Sequence, residues 1–302
     1  MFRKIASRIG FRTPTIALLS ACQSKPVTTR INMEKKKIAL FTVITFVISW
    51  IAWWILVFIK HDNSEIFRIS FYFLIFFVGG IAPTVAPFLA IKFSDKEFKE
   101  FNLSVLKFRV NIFYYIFGIF LIFGISYLGI WIYELFKGPI WSDLSPDFMS
   151  LIRLTLMMIV FGGLEELGWR GLLLPALSKI FKFHIAALVV GVIWAIWHLP
   201  LFFMRGTAQY QSDFFVFAIQ VIGFGFVLAW LFGRTKSIFI CVLFHAFSNA
   251  VSSSGLSSPS GNGYGLALIW LVIGLGLVLL DRKYLNRNTT LYEKKSGEKK
   301  VF

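Results

Sequence analysis

Charge is scarce in this sequence, and cysteine is scarcer. Only 15% of its 302 residues are charged while 57% are hydrophobic, which leaves too little polar side chain to cover a soluble domain of that size. Acidic residues are the rarer sign, 15 against 31 Lys and Arg. The two cysteines, Cys22 and Cys241, form neither a disulfide framework nor a metal-binding pair. No internal repeat is visible, and no two Gly/Pro-broken segments stand at matching places in two halves, which argues against a secondary transporter.

What is abundant is oil: 36 Phe, 10 Trp and long apolar runs. A helix needs roughly 20 residues to cross the hydrocarbon layer. Residues 38–59, 69–91, 112–133, 151–177, 185–203, 214–232 and 264–280 meet that length, and 238–251 is a shorter eighth that fits only inside a bundle. The expected fold is therefore all-α, a polytopic membrane bundle of about eight transmembrane helices. Lys and Arg collect on the cytoplasmic side of such proteins. Eight crossings place the basic stretch ending in Lys35, Lys36 and Lys37, the segments 92–109, 179–182 and 234–236, and the tail from Arg282 on one side. The intervening segments hold only Lys60, Arg68, Lys137 and Arg205. Both termini are thus expected in the cytoplasm, with the chain in the cell membrane. The formal charge of +16 is this asymmetry plus attraction to anionic lipid, not a nucleic-acid surface.

Three regions follow: a basic cytoplasmic extension over 1–37, expected to be disordered; the bundle over 38–281, with a core at 151–251; and a basic tail over 282–302. "LLSAC", ending at Cys22, looks like a lipoprotein cleavage box. The apolar run before it is short and broken by Arg12 and Pro14, so a plain extension is the better reading. Met33, directly before EKKK, is a second candidate start.

Against this background "GGLEELGWRG", residues 162–171, is anomalous. An ionised side chain at membrane depth costs a few kcal/mol or more and normally faces a bundle interior or a wet cavity. On a helix Glu166 and Arg170 are i,i+4 neighbours and can pair, while Glu165 projects about a quarter-turn away and is left for other work. Two more spans carry polar groups: in "WAIWHLP" Trp194 and His198 share a helical face, and in "FHAFSNA" His245 and Asn249 do. A carboxylate that takes a proton from water, with imidazole and amide groups around the developing oxyanion, is hydrolytic machinery. The same groups also suit a divalent metal such as zinc, with Glu165, His198 and His245 as ligands if one is used. Taken singly, a Glu pair is as readily a structural ion-pair site, and a lone intramembrane His or Asn an interhelical hydrogen-bond partner. His61 and His184, in a loop and at the start of a span, have no such company.

The conjunction EExxxR, an aromatic ahead of His, and HxxxN, in that order on successive spans, resembles the CAAX protease and bacteriocin-processing (CPBP, or Abi) family of intramembrane endopeptidases. The likeness runs over about 151–251. "GGIAPTVAPF" resembles the Gly/Pro-rich early helix of these proteins. The resemblance implies that Glu165 activates the attacking water and that His198, His245 and Asn249 support the water and the oxyanion, with Glu166 and Arg170 organising the site. Where the family's second motif usually has Phe, this chain has Trp194, another large aromatic. The implied substrate is a peptide or membrane protein, either a prenylated CAAX protein or a bacteriocin-like peptide, met in the lipid bilayer. A catalytically silent scaffold or bacteriocin self-immunity protein is the alternative, since a fold does not fix a function.

Overall fold

Apolar surface in lipid must still satisfy every backbone polar group internally, and helices do this within one segment. The computed structural model describes residues 26–59, 66–91, 95–138, 147–254, 256 and 263–281, and its regular elements there are all helical. In chain order they are α1 (Val27–Phe58), α2 (Ile66–Ile91), α3 (Asp95–Val105), α4 (Ile112–Lys137), α5 (Phe148–Val160), a broken helical segment over 163–178, α6 (Phe183–Trp197), a 3-10 turn (Leu199–Phe203), α7 (Phe214–Thr235), α8 (Ile238–Ser253) and α9 (Gly263–Leu280). Among the described residues seven stretches are long and apolar enough to cross a membrane, with α5 and the broken segment counting as one. The eighth, α8, has 16 residues and spans about 24 Å. It packs against α4, α5 and α7 with most of its side chains buried, so lipid thickness does not dictate its length.

The expected boundary at residue 37 is corrected. Residues 27–37 continue α1 as helix, because Glu34 is buried there and accepts from Lys37 at 3.3 Å and from Lys179 at 2.8 Å. The earlier part of the extension and the tail lie outside the described residues. Inside the basic segment 92–109 stands α3, an amphipathic helix that the search for apolar spans passed over. Its neighbourhood is tied to the turn between α7 and α8: Lys107 donates to the Thr235 carbonyl at 2.7 Å and Ser237 to the Lys107 carbonyl at 2.5 Å. At the far end of α7, the carboxylate of Asp213 accepts from the backbone N–H of Phe215 and Val216, and those two bonds hold it below the usual carboxylate range.

Two prolines inside α2 shape the centre of the bundle. Pro83 has no N–H for the Gly79 carbonyl, and Ser49 of α1 supplies the missing donor at 2.7 Å. The Ser49 hydroxyl in turn accepts from the Trp197 indole at 2.7 Å. Pro87 likewise frees the Pro83 carbonyl, which lies so near Gly168 that a Cβ there would come within 2.3 Å of it. The α7–α9 crossing is equally close, since a Cβ on Gly274 would fall 2.2 Å from the Gly223 carbonyl.

A backbone carbonyl cannot move aside as a side chain can, so Gly274→Ala forces the two helices apart and costs roughly 1–3 kcal/mol or more. Gly276, two residues away with nothing within 4 Å of its would-be Cβ, is the control. Thermal unfolding in detergent should show a lowered midpoint for Gly274→Ala and little change for Gly276→Ala.

Candidate active site

The segment that carries the acidic pair does not run as one α-helix. It opens as a 3-10 turn (Gly163–Glu165), makes a short α turn (Glu166–Gly168), widens into a π turn (Trp169–Leu173) and closes as α-helix (Leu174–Ser178). Pro175 near the start of the last piece cannot donate to the carbonyl four residues back, and the π turn absorbs that break. Bare glycines let the segment sit deep. A Cβ on Gly163 would meet the Val242 carbonyl at 2.7 Å, and one on Gly171 the Phe101 ring at 2.5 Å.

Glu166 and Arg170 pair as the helical spacing requires, at 2.9 Å and with both side chains fully buried. Glu166 has a second partner that spacing did not reveal: the Nδ1 of His245 lies 2.9 Å from its Oε1. Arg170 also donates to the Gly225 carbonyl at 3.3 Å, and its guanidinium lies 4.6 Å over the Trp194 ring, a cation–π contact away from water. Buried charge is here paired on one side and roofed by an aromatic face on the other.

Glu165 is not left loose, as helical geometry alone suggested. Its Oε2 accepts from the indole N–H of Trp194 at 2.9 Å and of Trp169 at 3.2 Å. Both donors fall on the same oxygen, and Oε1 takes no bond from a described residue. Trp169 escaped the sequence reading although it stands inside the EExxxR motif. Its i,i+4 relation to Glu165 was the available signal.

His198 follows α6, where its Nδ1 stands 2.9 Å from the Trp194 carbonyl. A carbonyl only accepts, so that contact assigns the proton to Nδ1 and leaves the Nε2 lone pair for another partner. The Trp194 ring is 6.0 Å from the His198 ring and 5.2 Å from the His245 ring, centroid to centroid. Asn249 lies a turn beyond His245 on α8, and a Cβ on Gly162 would collide with its Nδ2 at 2.5 Å and approach the His245 Nε2 at 3.3 Å. Gly162 is therefore a second residue that the motif reading passed over, one whose bareness gives Asn249 its place. Glu165, Trp194, His198, His245 and Asn249 all line one cavity of about 230 Å³, with Phe217, Phe224 and Trp270 among its aromatic walls.

The family model of type II CAAX prenyl endopeptidase Rce1-like proteins matches residues 147–251, the stretch that supplies every one of these polar groups. A curated relative, the CAAX prenyl protease 2 of Methanococcus maripaludis, is 27% identical over 241 residues, an overlap of 72% of this chain and 85% of that protein. Over that core the chain is similar to the CAAX-protease family. Seven membrane-length helices among the described residues give the bundle the make-up of an integral membrane protein.

Among the described residues no group of three or more His, Cys, Asp and Glu side chains is gathered to hold an ion, so Glu165, His198 and His245 do not form a ligand set as arranged. No step below is routed through a metal.

Breaking a buried ion pair costs about 3–5 kcal/mol because the remaining charge stays in low dielectric. Glu166→Gln should therefore lower the thermal midpoint and the yield of folded protein, with Arg170 left uncompensated. The double variant Glu166→Gln/Arg170→Gln should recover part of that loss. Melting curves of the single and double variants in one detergent check this. An unaltered midpoint for Glu166→Gln means that the pair does not hold the fold.

Proposed function

We propose that this chain is a membrane-embedded endopeptidase in which Glu165 activates a water for attack on a peptide bond. The observation that carries this reading is the one-sided capture of Glu165: two indole donors fix Oε2 and leave Oε1 as the acceptor in a cavity shared with His198, His245 and Asn249. Water bound there gives one proton to Oε1 and points its other hydrogen at the His198 Nε2 lone pair. Its oxygen adds to the substrate carbonyl carbon. The resulting oxyanion is met by the Asn249 amide, with the His245 ring, held at Nδ1 by Glu166, beside it in the cavity. Glu165 then returns the proton to the departing amide nitrogen as the C–N bond breaks. Glu165, His198, His245 and Asn249 are the proposed catalytic residues, while Trp194, Trp169, Glu166 and Arg170 position them.

The substrate in this proposal is a peptide segment at the membrane, carrying an apolar or isoprenyl group that lies against the aromatic wall. The relative's name, a prenyl protease, supports that class, as does the lining by Phe77, Phe161 and Phe217.

Glu165→Gln preserves shape and hydrogen-bonding atoms but removes the proton acceptor, so turnover should fall about 10²-fold or more with an unchanged melting midpoint. Trp194→Phe isolates the positioning role, because it keeps the aromatic bulk and deletes one donor to Glu165. A hydrogen bond to a charged group contributes about 1.5–3 kcal/mol, so kcat should drop roughly ten-fold or more at near-constant KM. Cleavage of a fluorogenic membrane peptide by each variant tests both, and undiminished turnover in Glu165→Gln would falsify the reading.

A further inference from the structure

α7 is apolar from residue 214 to residue 233 with one interruption, Gln220, the only side chain in that run to carry an amide, a hydroxyl or a charge. A primary amide in a membrane helix is costly unless it is bonded, and its ordinary use is to join one helix to the next. Gln220 does not do this. No hydrogen bond joins its amide to another described residue, and the residue lines the cavity that holds Glu165.

The neighbours of Gln220 on the helix fix where in the cavity it stands. Phe217, three residues before it, and Phe224, four residues after it, share its face of α7. The Phe217 ring is 5.0 Å from the His198 ring, and the Phe224 ring is 5.4 Å from the His245 ring and 5.9 Å from that of Trp194, centroid to centroid. Gln220 therefore stands between the two histidines, on the wall that α7 contributes. That wall is neutral. Among the described lining residues only Glu165, His198 and His245 titrate, and the other polar groups are indoles, amides and hydroxyls. A surface of this kind suits a ligand that presents uncharged donors and acceptors in alternation, as a peptide main chain does.

On the strength of the catalytic reading above, on which this rests, we propose that Gln220 is a substrate-binding residue that holds the main chain of the peptide beside the scissile bond. One residue of an extended strand turns its N–H and its C=O to the same side. The Gln220 amide answers both: its N–H donates to that carbonyl, and its oxygen accepts from that N–H. The amide left unbonded in the free protein is thus bonded when substrate is in place. Recognition through the main chain tolerates different side chains while fixing which peptide bond is presented to Glu165. It rejects a proline or an N-methylated residue at the position that Gln220 holds, because the Gln220 oxygen is then left without a donor.

The probe is a fluorescent peptide carrying an S-farnesyl cysteine followed by three apolar residues, used unmodified and with each main-chain amide N-methylated in turn. With the full chain in detergent, Gln220→Leu should raise KM about ten-fold, since two neutral hydrogen bonds are lost. Bonds made equally in the ground and transition states leave kcat alone, so kcat should change by no more than about two-fold. The melting midpoint should equal or exceed that of the unaltered protein, because an unbonded amide has given way to an apolar side chain. N-methylation at one position should raise KM for the unaltered protein by a similar factor and add nothing in Gln220→Leu. Gln220→Met guards against a Leu variant that fails to accumulate, and it should behave in the same way. An unaltered KM in both variants overturns the proposal, as does a lowered midpoint with the N-methylation penalties intact, which is the mark of an amide that joins helices. The catalytic reading fails separately: turnover by Glu165→Gln protein removes the proposed base and leaves the coupling between Gln220 and the N-methylated position standing. Fluorescence anisotropy of the same peptides on Glu165→Gln protein, with and without Gln220→Leu, reads that coupling as a ratio of Kd values, and its absence at every position overturns the role of Gln220 whether or not the peptide is cleaved.

Discussion

A carboxylate and a guanidinium buried together inside the bundle set the terms for everything around them. Glu166 and Arg170 are both fully buried, and an unpaired ion there is costly enough to unmake the fold. Their pairing is necessary and insufficient, because a guanidinium presents more donors than one carboxylate takes. Beyond the carboxylate the guanidinium reaches the Gly225 carbonyl and lies against the Trp194 face, and the Oε1 of Glu166 also meets His245. Each of these partners sits on a different helix. The ion pair therefore fixes the broken segment, α6, α7 and α8 relative to one another, and those elements carry every group proposed for catalysis.

Trp194 is where the structural and the catalytic demands meet. Its face covers Arg170, its N–H reaches Glu165, its carbonyl holds His198 and its edge meets the His245 ring. A Phe at this position, the residue usual in the family's second motif, fills the same space and covers the cation but offers Glu165 no donor. In this chain Trp169 supplies a second donor to the same oxygen. Orientation of the proposed base is thus shared between two indoles, and the carboxylate is confined on one side only.

Much of this was legible from composition and period. Runs of about 20 apolar residues gave the helices, and i,i+4 spacing gave the Glu166–Arg170 pair and the shared faces of Trp194 with His198 and of His245 with Asn249. What stayed hidden depended on packing between segments or on charge within one. The link from His245 to Glu166 joins residues 79 positions apart, and no local period encodes it. Gly162 reads as one more membrane glycine until α8 is seen standing 2.5 Å from where its Cβ would be. Residues 27–37 looked like a basic extension because charge dominates them, although Glu34 turns inward to meet Lys179 across 145 positions. The amphipathic α3 was masked in the same way by the lysines around it.

The departures from regular helix follow a single physical rule. In hydrocarbon, a backbone group without a partner costs several kcal/mol, so irregular backbone is tolerated only where protein surrounds it. The carbonyl freed by Pro83 is capped by Ser49, which is itself capped by Trp197. The π turn at Trp169–Leu173 lies among buried side chains. These irregular stretches adjoin the cavity, since Trp197 is the neighbour of His198 and Trp169 a partner of Glu165. A straight helix presents its side chains at fixed intervals of 100°. Within the broken segment the i,i+4 spacing still brings Trp169 to Glu165 and Arg170 to Glu166, while Trp194 and His245 reach the two carboxylates from other helices. The same prolines and glycines that would weaken a lipid-facing span are what allow two adjacent glutamates to occupy separate environments, one proposed for chemistry and the other for holding the bundle together.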